Sequence, residues 1–284
     1  MKKEIAIIDD QLDNMVAAFD AGNEEALMAI TGQETSSKRD DLSKLSINYE
    51  TETDDGKTLK KGVWRVWHEG RYVYGSEVSL RVLLRTFKWT LWDSNEGASS
   101  CSSIQKPHLA GEFPDSAGGE KCGRLPKDEA DALEEDDPRL ITSKSVACNQ
   151  VIYGRLTAKM KDADGQEVAL EDLPIVGYFK RSGFMPMNNF INGLSRQKKI
   201  MQRVWINLTT SRLKKGSVTF FVPVPTEGES IASVSDEDKE LLKMFAEVVK
   251  AGNQSIMKQY REAQKSVSSD EDIDLSRDFD ADAA

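Results

Sequence analysis

The sequence is poor in histidine. Only His68 and His108 occur in 284 residues, which removes most acid–base and metal-enzyme chemistry built on imidazole. Cysteine is scarce as well. Three thiols in a chain of this length give no disulfide framework and suit a reducing cytoplasm. Long apolar runs are missing: nothing approaches the ~18 residues of a membrane span, and mean hydropathy is −0.51. The opening MKKEIAIIDDQLDNM places Glu4, Asp9 and Asp10 where a leader would be uncharged. A cytoplasmic protein is therefore expected. The chain has no GxxxxGKS phosphate loop, no HExxH and no GxSxG. Asp9-Asp10 sits within helical spacing and reads as a solvated helix face rather than a nuclease metal site. No nucleophile stands with a base, so no enzyme is expected.

Charge is abundant and sorted along the chain. The net charge is −10, but residues 57–92 hold 8 bases and 2 acids, and residues 176–222 hold 9 bases and no acid. Acids collect elsewhere: 14 against 5 bases in residues 1–56, 10 against 3 in 112–137, and 15 against 7 from 227 to the end. An acidic protein that concentrates its cations in two blocks presents a cationic face to a polyanion.

Periodicity divides the chain further. Residues 1–30 place Ile5, Ile8, Leu12, Met15, Val16 and Phe19 at helical spacing, and a polar linker follows, so 1–44 form an N-terminal helix and linker. Residues 45–226 read as the nucleic-acid-binding domain, interrupted by an irregular Gly-, Ser-, Pro- and acid-rich insertion at 94–147. Within it, 151–161 is the clearest strand, with Ile152, Leu156, Ala158 and Met160 alternating with Tyr153, Arg155, Thr157 and Lys159. Asp162-Ala163-Asp164-Gly165 turns it into a second strand at about 173–181. A helix near Pro186 aims Met187, Phe190, Ile191 and Leu194 to one side, and strands at 199–212 and 217–223 follow. Ser235 caps a last helix reaching about Gln264 (227–265), and 266–284 is an acidic tail, disordered by composition. The fold class is mainly β with flanking helices (α+β), with the order of a five-stranded OB-like barrel whose helix lies between strands three and four.

The cationic blocks also hold the aromatics. Single-stranded nucleic acid asks for cations along its phosphates and flat rings under its unstacked bases. From the first block the candidates are Trp64, Arg65, Trp67, Arg71, Tyr72, Tyr74, Arg81, Arg85, Lys88 and Trp89. The central strand adds Tyr153, Arg155 and Lys159. The acid-free block adds Lys180, Arg181, Arg196, Lys198, Lys199, Arg203, Trp205, Arg212, Lys214 and Lys215. Strand parity puts Trp205 opposite Val204, Ile206 and Leu208, and Tyr153 beside Arg155 and Lys159, so both rings are expected to face ligand. For Trp64 and Trp67 parity decides nothing. Cys101, His108, Cys122 and Cys148 are four soft donors that one structural zinc would accept, although no CxxC pair is present. The alternative is three buried free thiols and a surface histidine.

The organisation resembles that of phage-type single-stranded DNA-binding (helix-destabilising) proteins, on the strength of the tail runs Asp270-Glu271-Asp272-Ile273-Asp274 and Asp278-Phe279-Asp280-Ala281-Asp282. The resemblance implies sequence-independent binding and protection of single-stranded DNA in replication or recombination. It further implies that the tail, through Asp278, Phe279, Asp280 and Asp282, docks replication or recombination partners and competes with DNA. Such proteins can carry a zinc-stapled insertion and can self-associate. The tail lacks the Pro-Phe ending of the bacterial type. Two other readings remain open: a protein-interaction or virion-assembly module, and a metal-dependent nuclease.

Overall fold

A computed structural model describes residues 42–93 and 98–277, with side chains omitted for 93, 98 and 267–277. The expected N-terminal helix at 1–30, the first insertion residues and Asp278, Phe279, Asp280 and Asp282 lie outside the described residues. From Ser43 onward the chain belongs to one compact unit.

The class is α+β, dominated by a nine-stranded sheet. In chain order the strands are β1 (Ser43–Ile47), β2 (Trp64–His68), β3 (Arg71–Gly75), β4 (Val78–Asp93) and β5 (Ala98–Ser102). The short helices α1 (Lys127–Asp131) and α2 (Pro138–Ser145) follow within the insertion. Then come β6 (Ala147–Lys161), β7 (Glu167–Lys180), α3 (Phe184–Arg196), β8 (Val204–Lys215), β9 (Val218–Ser230) and α4 (Asp236–Arg277). The insertion is thus structured in part, and α4 runs past its expected end near Gln264. Strand β7 begins earlier than expected and β8 later, because a 3-10 turn occupies Met201–Arg203.

Neighbouring strands run β3-β2-β1-β7-β6-β4-β8-β9, with β5 on β4. A β3–β6 pairing at Tyr74↔Lys161 joins β1, β2, β3, β6 and β7 into a closed circuit. Strands β4, β6 and β7 are successive antiparallel neighbours, and β8 returns by way of α3 to lie beside β4. That spatial order, fourth-first-second-third, is a Greek key. Antiparallel strands with alternating residues explain the core. Leu45, Trp64, Val66, Leu80, Ile152, Leu156, Ile175, Ile206 and Leu208 point to one side and close on Met187 and Ile191 of α3. Each such side chain contributes about 1.5–3 kcal/mol by leaving water. Trp64 belongs here: it is 1% exposed and its indole N–H donates to the Leu208 carbonyl at 2.9 Å. It is core, not a ligand platform.

Candidate nucleic-acid interface

The opposite face of the sheet carries the chemistry. Lys44 and Ser46 of β1, Arg65 and Trp67 of β2, and Tyr72 and Tyr74 of β3 all oppose the core by parity with Leu45, Trp64, Val66 and Val73. In the parallel β1–β7 pair, Lys44 lies opposite Val176, which puts Tyr178 and Lys180 on the same side. Lys88 and Asn149 continue the row through β4 and β6, because Lys88, Asn149 and Lys180 share register. Tyr178 receives two ammonium groups, Lys44 at 5.5 Å and Lys88 at 5.2 Å from its ring centre. Lys180 stands 5.4 Å from the exposed ring of Trp92. At the far end Trp67 and Tyr72 pack edge-to-face at 4.9 Å, with the Arg65 guanidinium 4.8 Å from Tyr72.

Beside this row lies a cleft between the β1–β2 connection and β9. The buried Asn48 amide donates to the carbonyls of Glu50 and Lys60, and Gly62 N–H donates to Asn48 O. Those bonds hold the Lys60-Lys61-Gly62 segment against the β8–β9 hairpin, where the Thr210 hydroxyl of β8 donates to Gly62 O. Gly62 has φ +75 and lies so close to Phe221 that an added Cβ would sit 2.2 Å from the ring. Only glycine lets the ring settle there. Tyr49 packs edge-to-face on Phe221 at 5.9 Å, and its hydroxyl donates to the Phe221 carbonyl at 3.2 Å. Arg212 is the cross-strand partner of Phe221.

Two cavities share Tyr49 and Phe221. One, about 560 Å³, is lined also by Lys60, Lys61, Arg212 and Thr219. The other, about 290 Å³, reaches Tyr178, Lys180 and Arg181. Among the described residues five cations line them and no acid does. Among the described residues no carboxylate forms an ion pair with Lys44, Lys60, Lys61, Lys180, Arg181 or Arg212. Like charge has a cost here: burial, then Arg181 and Lys44, push the Lys180 ammonium below the usual lysine value. Lys44, Tyr49, Lys60, Lys61, Tyr178 and Phe221 were not among the expected site residues. Signals for some of them were present: Lys60 and Lys61 fall in the first basic block, just before Gly62, and Tyr178 and Phe221 are among the aromatics of the acid-free block.

Other expected residues lie elsewhere on the same outer face, under cover. Arg81 and Arg155 are buried and both pair with Asp238 of α4, which has no exposed surface. The Arg155–Asp238 distance is 2.9 Å. Tyr153, expected to face ligand, is 2% exposed, packed on Phe245 of α4 at 5.4 Å and bonded to Gln105. The expectation fails because parity cannot see a helix that arrives from residue 236 onward. Asp238 sits at the α4 N-terminus in a capping box with Ser235, so the cap itself delivers the carboxylate. Trp205 is half-buried on the side opposite Val204, Ile206 and Leu208, with Arg81 5.3 Å from its ring.

Among the remaining candidates, Arg71 pairs with Asp162 at 2.7 Å, and Lys199 pairs with Glu227. Arg85 donates to Asn188 and Asn192 of α3. Trp89 packs on the insertion cysteines. Lys159, Arg196, Lys198, Arg203, Lys214 and Lys215 are exposed. Lys214 shares the Arg212 face of β8.

The expected zinc set is not assembled as a set. Cys101 and Cys122 come together with Asp115, all buried, their ligand atoms within 4.8 Å of one another, and this cluster could hold a metal ion. His108 is an exposed loop residue, and Cys148 lies on β6 outside the cluster, its thiol pushed up to about 11 by burial. No helix among the described residues is long and apolar enough to cross a membrane. Scans against protein-family models, curated proteins and solved structures found no match to this chain.

Proposed function

We propose that this protein is a non-enzymatic, phage-type single-stranded DNA-binding protein that coats DNA without reading sequence. One observation carries the reading: two adjoining cavities share the Tyr49–Phe221 pair and, among the described residues, are lined by five cations and no acid. Ammonium and guanidinium groups follow phosphates, while exposed rings accept any base because every base has a π face. The fold is consistent with this. Strands β4, β6, β7, β8 and β9, with α3 between the third and fourth, follow the order of an OB-like barrel. On this assignment the Tyr49–Phe221 cleft lies where the third and fifth strands of that barrel approach, with β1 added alongside β7.

In this reading the row from Trp67 through Tyr178 to Trp92 extends the path of the strand. The acidic tail recruits replication or recombination proteins and competes for the cleft. Titration with oligo(dT) against duplex DNA, followed by tryptophan fluorescence, tests it. Quenching by single strands alone supports the reading. Equal response to duplex, or none to either, refutes it, and magnesium-dependent loss of the oligonucleotide would point to a nuclease.

A further inference from the structure

The insertion holds a site the nucleic-acid reading does not use. Cys101 on β5 and Cys122 in the Lys121–Gly123 turn are each 5% exposed, and their sulfurs lie 2.7 Å apart. Three successive left-handed residues, Lys121 (φ 53), Cys122 (φ 55) and Gly123 (φ 79), bring the second sulfur there. Two of these are not glycine, and such a conformation persists only where its surroundings enforce it. Asp115 does the enforcing. Its Oδ2 accepts the Cys122 N–H at 2.7 Å, and its Oδ1 accepts the N–H groups of Ala117 and Gly119, each at 3.0 Å. The carboxylate is thus occupied in building the turn.

We propose that Cys101 and Cys122 form an oxidation site that closes to a disulfide when a peroxide reaches it. The spacing favours this over a metal. Two thiolates on one tetrahedral zinc, each about 2.3 Å from the ion, stand about 3.8 Å apart, wider than the contact observed. The two sulfurs also differ in their surroundings: the Cys122 thiol has the Trp89 carbonyl at 3.6 Å to hold its proton, and Cys101 has no such carbonyl among its described hydrogen bonds. Cys101 is therefore the attacking sulfur.

Its sulfur takes one oxygen of hydrogen peroxide: an S–O bond forms, the O–O bond breaks, and hydroxide leaves and takes up the thiol proton as water. The Cys122 sulfur then attacks the Cys101 sulfenic acid: S–S forms, S–O breaks, and the hydroxyl leaves as water with the Cys122 proton. Two thiols are oxidised, one peroxide is reduced, and two waters result. The bond ties β5 to the turn.

The test uses the full-length protein, assayed first for bound metal. It is then treated with hydrogen peroxide, denatured, alkylated and mapped by mass spectrometry. The expected result is a chain lighter by two hydrogens, a linked Cys101–Cys122 peptide, an alkylatable Cys148, and full reversal by a thiol reductant. Cys148→Ser should behave the same, and Cys101→Ser and Cys122→Ser should yield no linked peptide. Cys101 and Cys122 recovered unlinked after peroxide would overturn the proposal. So would one equivalent of zinc that shields both thiols.

Discussion

Two regions of the molecule, the half of the outer sheet face that α4 covers and the open half around the Tyr49–Phe221 cleft, are made of the same residue types. In one half Arg81, Arg155 and Tyr153 meet α4, Trp205 lies against Arg81, and Asp238 answers both guanidinium groups. In the other, Lys44, Lys60, Lys61, Lys180, Arg181 and Arg212 surround Tyr49, Tyr178 and Phe221 without a described counter-ion. The contrast shows that a cation beside an aromatic does not define an interface. What separates the halves is whether the fold supplies the anion. A buried guanidinium that has its carboxylate is structure, whereas a cluster of lysines without one keeps a persistent demand for negative charge.

Breaking the covered half should give the largest effect. Asp238→Ala would leave Arg81 and Arg155 buried with no counter-charge at their centre, and is expected to cost about 3–5 kcal/mol of stability, read from denaturant unfolding. A loss under 1 kcal/mol would mean that α4 is only loosely seated and that the two halves do not differ as described. Phe221→Ala in the open half should weaken oligo(dT) binding by about 1–3 kcal/mol. Tyr178→Ala should do likewise, while Trp205→Ala should have the smaller effect because its ring is half-buried and already faces Arg81. The reverse ranking would place the strand across the α4 side.

The smallest expected effect is on pH dependence. Lys180 has a lowered pKa, so it sheds its proton at a lower pH than an ordinary lysine as pH rises. A bound phosphate favours the charged form, so binding takes up protons as alkaline pH is approached. Affinity should therefore fall with rising pH, beginning below the usual lysine range, and Lys180→Arg should flatten that fall because guanidinium stays charged. A profile identical in the variant would remove Lys180 from the interface.

Much of this was legible in local pattern. The alternation along β6, the parity of Trp205, the Ser235 cap and the position of α3 between β7 and β8 all follow from short-range periodicity. What escaped depends on contacts between distant residues. Trp64 and Trp67 alternate across one strand, and only the Trp64–Leu208 bond, 144 residues apart in sequence, says which is core. Tyr153 read as outward, correctly for the sheet, but Phe245 covers it. Tyr49 and Lys60 gained their role from Phe221, which they meet only after β9 folds beside them. The cysteine pair was partly visible: Cys101 and Cys122 meet, but Asp115 takes the place assigned to His108 because its backbone bonds shape the turn.

The most direct test is the salt dependence of oligo(dT) binding for the full chain and for Lys60→Ser/Lys61→Ser/Arg212→Ser. Each lost phosphate contact should flatten the slope of log K against log salt by about 0.7, so the triple variant should lose about 2 from its slope and bind at least tenfold more weakly at low salt. An unchanged slope and affinity would contradict the assignment of this cleft to single-stranded DNA.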